Sequence, residues 1–331
     1  MSGRGRWRQG TRPSVAPARA RLAVALALLV AASLAGCSSP GDSAAGGGRA
    51  RRSSGVLVAY VDSYPLRYFA ERIGGAEVRA VFPAPPGVDP AYWSPDAATI
   101  AEYQDADLIL TTGAGYAQWV ETATLPGSRL VDTSTALVDR LVPLEGAVTH
   151  SHGGMGEHSH AGYATTLWLD PLLAAEQADA IAAAFTRERP GAAEAFAAGL
   201  AALRGDLAAL DARLAAVASR IGDAPLLFSH PVYQYLARRY GLAGRSLHWD
   251  PAEVPGHFAW AGFEEKLDGH PARVMVWEAE PVAETAAELE RRGIASVVFA
   301  PCAAAPAEGE GDYLTVMNEN ASRLERAFPS T

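Results

Sequence analysis

The chain has 331 residues, 49% of them apolar, and carries 37 acidic against 28 basic side chains for a net charge of −9 at neutral pH. That length allows about two domains with ample core. The acidic balance argues against nucleic acid as a partner, and two cysteines, Cys37 and Cys302, are too few for a disulfide framework.

The first segment reads as a targeting signal and stands outside the fold. Six arginines (Arg4, Arg6, Arg8, Arg12, Arg19 and Arg21) precede a thirteen-residue apolar run, Leu22 to Leu34, shorter than the roughly twenty residues of a membrane span. The run ends in Leu34-Ala-Gly-Cys37, which resembles the bacterial lipobox, whose cysteine is lipidated and becomes the mature N-terminus. The expectation is a lipoprotein signal peptide over 1–36, lipid attachment at Cys37 and a flexible Ser/Gly/Ala/Arg tether over 37–54. A plain secreted protein or an uncleaved anchor is the alternative. Loss of the leader leaves 22 basic against 37 acidic residues, a net charge of −15 that suits cation capture better than an anionic surface.

From Val56 onward, strand-like runs alternate with helical ones. Val56–Val61 reads as a strand, and Ser63 and Pro65 open a helix that stops at Gly74 and Gly75. Strands follow at 78–82, 107–112 and, weakly, 129–132, with helices at 94–103 and 116–121. After Thr165-Thr-Leu-Trp-Leu-Asp-Pro171 come about fifty helical residues broken at Pro190-Gly191. The second piece sets Phe196, Leu200, Leu203, Leu207, Leu210, Leu214, Val217 and Ile221 at steps of four and three, one apolar stripe along a rod of roughly 43 Å. The alternation then resumes, with strands at 225–229, 245–249, 273–277 and 296–299 and helices near 232–240, 257–268, 282–292 and 313–327. The architecture predicted is α/β: two Rossmann-like lobes, each a roughly four-stranded parallel sheet, with an N-terminal lobe over 55–165, a helical connector over 166–222 and a C-terminal lobe over 223–331. Ligands of such folds bind beyond the carboxyl ends of the strands, here the cleft between the lobes.

Four of the eight histidines, His150, His152, His158 and His160, fall with Glu157 in a Gly-rich stretch of eleven residues. Imidazole is a common zinc ligand and glycine lets the rings converge, although the same composition also describes a solvated low-complexity loop. His230, His248, Glu278 and Glu280 stand at predicted carboxyl ends of strands, which makes them candidate ligands at a cleft mouth. His248 can equally be a core histidine, and Glu278 or Glu280 a helix cap. Trp93, Trp168, Trp249 and Trp277 stand at strand ends or cleft loops. They line either the lobe interface or an aromatic wall for an organic ligand or chelated metal. Cys302 reads as a buried small residue.

Several segments together resemble the solute-binding lipoproteins of zinc and manganese ABC importers, whose two lobes are joined by one long helix. They are Ser63-Tyr-Pro-Leu-Arg-Tyr-Phe-Ala-Glu-Arg-Ile-Gly-Gly75, Pro86-Gly-Val-Asp-Pro90, Gln104-Asp-Ala-Asp-Leu-Ile-Leu110, Trp168-Leu-Asp-Pro171 and Ser229-His-Pro-Val-Tyr-Gln-Tyr-Leu-Ala-Arg-Arg-Tyr-Gly-Leu242. They keep the family's order over nearly all of the mature chain. The resemblance implies a metal site of four side chains from four cleft segments. Here only His230 matches; Ala91, Thr166 and Ala300 stand where the other three ligands are expected.

The resemblance therefore implies a lipid-anchored, monomeric, extracytoplasmic protein that captures a divalent metal, Zn2+ first and Mn2+ as the alternative, for an ABC permease. Its depleted ligand set points to a substitute site of His230, His248 and Glu278 or Glu280, completed by His158 or His160 from the His-rich stretch. The same fold binding an organic ligand or metal chelate, and a periplasmic zinc buffer or chaperone, are the competing readings. No His-Glu-x-x-His, Gly-x-Ser-x-Gly or phosphate-binding glycine motif is present in the sequence, so an enzyme is the least favoured class.

Overall fold

A computed structural model describes residues 55–144, 148–151, 157–160 and 162–329; Cys37 and the leader lie outside them. The N-terminal lobe runs β1 (Leu57–Val61), α1 (Tyr64–Gly74), β2 (Val78–Val81), α2 (Ala97–Asp105), β3 (Leu108–Thr111), α3 (Trp119–Thr122) and β4 (Leu130–Asp132). A short antiparallel hairpin, β5 (Val148–Ser151) and β6 (Glu157–His160), precedes the helices α4 (Pro171–Glu188) and α5 (Ala193–Ile221). The C-terminal lobe runs β7 (Leu226–Phe228), α6 (Gln234–Tyr240), β8 (Gly244–Ser246), α7 (His257–Leu267), β9 (Val274–Trp277), α8 (Ala283–Arg291), β10 (Ala295–Val298) and α9 (Tyr313–Ala327). No helix among the described residues is long and apolar enough to cross a membrane.

The two lobes share one topology. Strand order is β2-β1-β3-β4 in the first and β10-β9-β7-β8 in the second, and all pairs are parallel. In each lobe the first strand lies between its second and third, so the chain leaves it once to either side. A crevice opens where these paths diverge, at the carboxyl ends of β1 and β3 and of β7 and β9. The central strands β3, β7 and β9 are buried along their whole length, which is why they read as continuous apolar runs.

The helix boundaries follow local chemistry. Asp170 caps α4 by accepting from the Leu172 N–H at 3.0 Å, with Pro171 in the first turn. Asp96 and Asp312 cap α2 and α9 in the same way through Thr99 and Thr315. The 29-residue α5 buries Phe196, Leu203, Leu207, Leu210, Leu214, Val217 and Ile221 against α1, α4 and α9, so the apolar stripe faces both lobes. Arg239 of α6 ties this connector down: it bonds Asp211 of α5 at 2.7 Å and lies 3.8 Å from the Asp170 cap.

Two glycines on α5 test this packing in opposite directions. At Gly199 a Cβ would lie 2.6 Å from the Ile73 carbonyl and 2.7 Å from that of Arg72 on α1, whereas exposed Gly205 has nothing within 4 Å. Gly205→Ala should stabilise the protein by about 0.5–1 kcal/mol through helix propensity. Gly199→Val should destabilise it by roughly 1–3 kcal/mol by forcing the helices apart. Urea unfolding of both variants checks the pair; equal effects would contradict the close approach.

The segment expected to be a His-rich loop is instead partly a hairpin, in a register that sets His150 opposite His158 and Val148 opposite His160. Separately, Pro143 bridges Tyr163 in the antiparallel sense, and the Leu144 N–H bonds the Gly162 carbonyl at 2.9 Å. His152 lies outside the described residues, and only the backbone of His150, His158 and His160 is described. The expectation that His158 or His160 reaches the cleft falls on side chains that are not described.

Candidate functional site

A cavity of about 360 Å³ lies between the lobes. Its N-terminal wall is the turn Gly87–Tyr92 with Tyr116, its rim is Leu144 and Tyr163–Thr166, and its C-terminal wall is His230–Val232, Glu278 and Pro301 with Ala303 and Ala304.

On the C-terminal side, β7 and β9 are direct neighbours, and each ends in a polar residue pointing out of the crevice. His230 follows β7 and Glu278 follows β9; His230 Nδ1 and Glu278 Oε1 are 3.6 Å apart. His230 is buried, and the Glu278 side chain retains 27% exposure. Burial pushes the Glu278 carboxyl up to about 8, and the nearby Asp89 and Asp250 carboxylates add to the rise. Asp89 lies on the opposite wall. Its carboxylate accepts from the Ala91 N–H at 2.9 Å and its carbonyl from the Tyr92 and Trp93 N–H groups at 3.1 and 3.0 Å, a tight turn that fixes the acid at the cavity mouth. Burial, with Asp89 and then Glu278 as smaller causes, also raises the Tyr92 hydroxyl.

The remaining candidates fall in three places. His248 contacts His230 edge-to-face with ring centres 5.6 Å apart, but it is exposed and stands beside the cavity. Glu280, two residues beyond Glu278, lines an adjoining groove of about 1080 Å³ bordered by β10 and α9, so it does not share the cavity with His230. The tryptophans do not form an aromatic wall. Trp249 and Trp277 are buried with Phe263, Leu227 and Met275 in the C-terminal lobe's own core, and Trp93 packs on Trp119. Trp168 is fully buried and donates from Nε1 to the Pro301 carbonyl at 2.7 Å. Parallel sheets bury large apolar side chains on both faces, which strand-end position alone does not reveal. Among the described residues, Tyr92, Tyr116 and Tyr163 line the cavity together with the His230 ring.

Ala91, Thr166 and Ala300, where the resemblance implied further ligands, make other contacts. Ala91 contributes a methyl group to the cavity wall. The Thr166 hydroxyl donates to the Val232 carbonyl at 2.5 Å, a bond that uses its only proton and ties the connector to the segment after His230. Ala300 lines the adjoining groove, and its backbone N–H and C=O are clamped by buried Asn320 at 2.9 and 2.8 Å. Cys302 is buried, with its thiol pushed up to about 12 by that burial. Among the described residues, no three His, Cys, Asp or Glu side chains converge closely enough to hold a metal ion by themselves.

The N-terminal crevice, between β1 and β3, is closed by its own side chains. Asp62 there accepts from the Thr112 N–H at 3.0 and 2.9 Å and from the Thr112 hydroxyl at 2.7 Å. Gln177 of α4 covers the pair by donating to Thr133 Oγ1 at 2.9 Å and to the Thr112 carbonyl at 3.2 Å. Of two equivalent crevices, only the one carrying His230 and Glu278 faces the cavity.

Sequence comparison agrees with this two-lobed cleft. A family model described as "Zinc-uptake complex component A periplasmic" (ZnuA) matches residues 60–327. The chain belongs to this family. It is 24% identical over 316 residues to the zinc-binding lipoprotein AdcA of Streptococcus pneumoniae serotype 4 (strain ATCC BAA-334 / TIGR4), a match that covers 92% of this chain and 60% of AdcA. It is 25% identical over 235 residues to the high-affinity zinc uptake system protein ZnuA of Bacillus subtilis (strain 168), covering 68% of this chain and 72% of that one. The chain thus spans about 60% of the length of AdcA. In fold it is similar to the Zn(II)-bound ZnuA-like domain of Streptococcus pneumoniae AdcA, with a TM-score of 0.70, 21% identity and coverage of 83% of this chain and 100% of that domain. It is also similar to the metal-dependent lipoprotein YcdH of Bacillus subtilis, with a TM-score of 0.69, 21% identity and coverage of 82% and 98%. Family membership accounts for the topology.

Proposed function

We propose that this chain is the substrate-binding component of an extracytoplasmic zinc importer. It takes a divalent cation into the cleft and presents the loaded form to an ABC permease. The observation that carries the reading is the meeting of His230 and Glu278, 3.6 Å apart at the switch point of the C-terminal sheet, across the cavity from Asp89. Imidazole and carboxylate are both zinc ligands, and a cation that displaces the Glu278 proton is compensated by that carboxylate and Asp89. Manganese, which prefers oxygen donors, is the alternative cargo. The lipobox-like Leu34-Ala-Gly-Cys37 supports attachment to the outer face of the cell membrane as a lipoprotein, and AdcA is named a lipoprotein too. Nothing in the charge favours nucleic acid.

Zinc titration of the mature chain, made without lipid by Cys37→Ser, tests this reading. His230→Ala should weaken zinc binding by more than about 100-fold, since loss of an outer-shell partner alone costs about 10–100-fold. His248→Ala should cost less, because its ring is exposed beside the cavity. Undiminished binding by the His230 variant overturns the site.

A further inference from the structure

We propose that the outer edge of β10 is an interface between two copies of this chain, joined as a two-fold dimer by antiparallel β10–β10 pairing. The interface does not depend on the metal reading, and it departs from the monomer that the resemblance implies.

Edge chemistry is the first observation. The two lobe sheets have four edge strands, β2, β4, β8 and β10. Open edges invite pairing with other chains, and proteins blunt them with charges, proline or residues that weaken a strand. Arg79 does so in β2, Asp132 in β4, and Gly244 and Arg245 in β8. Strand β10 is Ala295-Ser-Val-Val298, with no charge, proline or glycine, and its Ala295 and Ser296 are exposed. Of the four, this edge alone is left fit to pair.

The second is register. The Ala295 and Phe299 N–H groups bond the Arg273 and Trp277 carbonyls at 2.9 and 2.8 Å, so Ala295, Val297 and Phe299 turn their backbone polar groups inward, toward β9. Ser296 and Val298 therefore turn theirs outward. The Ile294 N–H before them and both groups of Ala300 after them are already bonded, to Leu289 and Asn320. What the strand itself leaves open is two donors and two acceptors. Directly opposed residues of an antiparallel pair exchange both bonds. Ser296 opposite Val298 of the second copy, and Val298 opposite its Ser296, satisfy all four groups, with the two-fold axis at Val297. A second β10 thus completes this edge in a single register.

The third is the space beside the edge. A strand added to a sheet turns its side chains alternately to both faces, and a groove flanks β10 on each. Val297 shares a core cluster with Met317 and Ala321 of α9, and Val298 packs on the cluster that holds Leu289 of α8, so the two helices cover opposite faces. The groove toward α9 has a volume of about 1080 Å³. The groove toward α8, of about 760 Å³, is lined by Ala283, Ala286 and Ala287, whose small side chains leave room for a second α8. The α9 wall carries both signs: Arg323 and Arg326 share the one acid Glu319 at 3.4 and 3.2 Å, while Glu280 and Glu310 line the same groove. An isologous interface sets a surface against its own image, so a wall of mixed sign suits a second copy better than a partner of one charge.

Sedimentation velocity of the mature Cys37→Ser chain over a concentration series tests this, with EDTA present so that no metal bridges the copies. The expected result is a reversible monomer–dimer equilibrium with a dissociation constant of roughly 1–100 µM, the weak end of the scale, because few backbone groups pair. Ser296→Pro removes one outward N–H and leaves the bonds to β9 in place. It should weaken dimerisation by about tenfold or more, since both symmetry-related bonds are lost. Ser296→Lys sets a charge on the exposed edge and should do the same; it decides the matter if a thermal melt shows that the proline variant does not fold. A wild-type chain that stays monomeric up to about 1 mM overturns the inference. So does a dimer that the folded Ser296 variants retain at wild-type affinity, because its interface then lies elsewhere.

Discussion

Replacing Trp168 with alanine should destabilise the protein by roughly 3–5 kcal/mol, the range for emptying a fully buried tryptophan site. The ring has no exposed surface. It packs edge-on against Tyr116 at 5.3 Å, its Nε1 donates to the Pro301 carbonyl at 2.7 Å, and its own carbonyl accepts the Tyr313 hydroxyl at 2.7 Å. Trp168 thus joins the entry to the connector to α9 and to the loop after β10, whose Pro301 lines the cavity. Truncation would leave a cavity and orphan the Pro301 carbonyl together. Trp168→Phe keeps most of the ring and loses the N–H, so it should cost about 1–2 kcal/mol less than the alanine change. Urea unfolding of the two variants checks this, and a Tm fall of roughly 6–15 °C should accompany the alanine change. A loss below about 1 kcal/mol for Trp168→Ala would mean the contact is not structural.

The second large effect is on pH. Asp62 is fully buried, and burial raises its carboxyl from about 3.8 to about 7 despite the Thr112 and Ser63 hydrogen bonds that oppose the rise, with Asp132 adding to it. Between those two values the folded protein keeps this proton and the unfolded chain has released it. Folding therefore takes up a proton, and stability must fall as pH rises through the window, by at most about 1.4 kcal/mol per pH unit for one group. Glu278 contributes with the same sign from about 4.5 up to about 8. Wild-type protein without metal should accordingly lose stability between pH 5 and 8. Asp62→Asn should flatten the part of the profile below about pH 7, and Glu278→Gln the part that extends to about 8. Urea midpoints at pH 5, 6, 7 and 8 measure this. A wild-type profile that rises over that range, or an unaltered slope in Asp62→Asn, would contradict the burial of a proton at this crevice.

The fold was largely legible in the residues. Apolar runs in steps of two or in continuous blocks marked eight strands, seven of them within one residue, while the strand expected over 245–249 ends three residues earlier, at Ser246. The stripe from Phe196 to Ile221, in steps of four and three, marked the 29-residue connector with its boundaries. These signals are local: helix and strand periods, Asp caps and glycine stops act within a few residues of themselves.

What only the tertiary structure decided is which polar groups meet. Glu278 and Glu280 are equivalent along the chain, but β9 lies beside β7, so Glu278 ends next to His230 while the turn toward α8 carries Glu280 into the adjoining groove. Asp89 faces the same cavity across about 190 positions of sequence, a pairing that no local pattern encodes. The tryptophans stood at strand ends like ligand-wall residues, yet packing drew Trp249 and Trp277 into the core and left three tyrosines on the wall. The closed crevice at Asp62 and the open one at His230 arise from one topology used twice, and the difference rests on Thr112 standing opposite Asp62 where Glu278 stands opposite His230. Secondary structure is set by neighbours in sequence; a site is set by neighbours in space, and here strand order chose them.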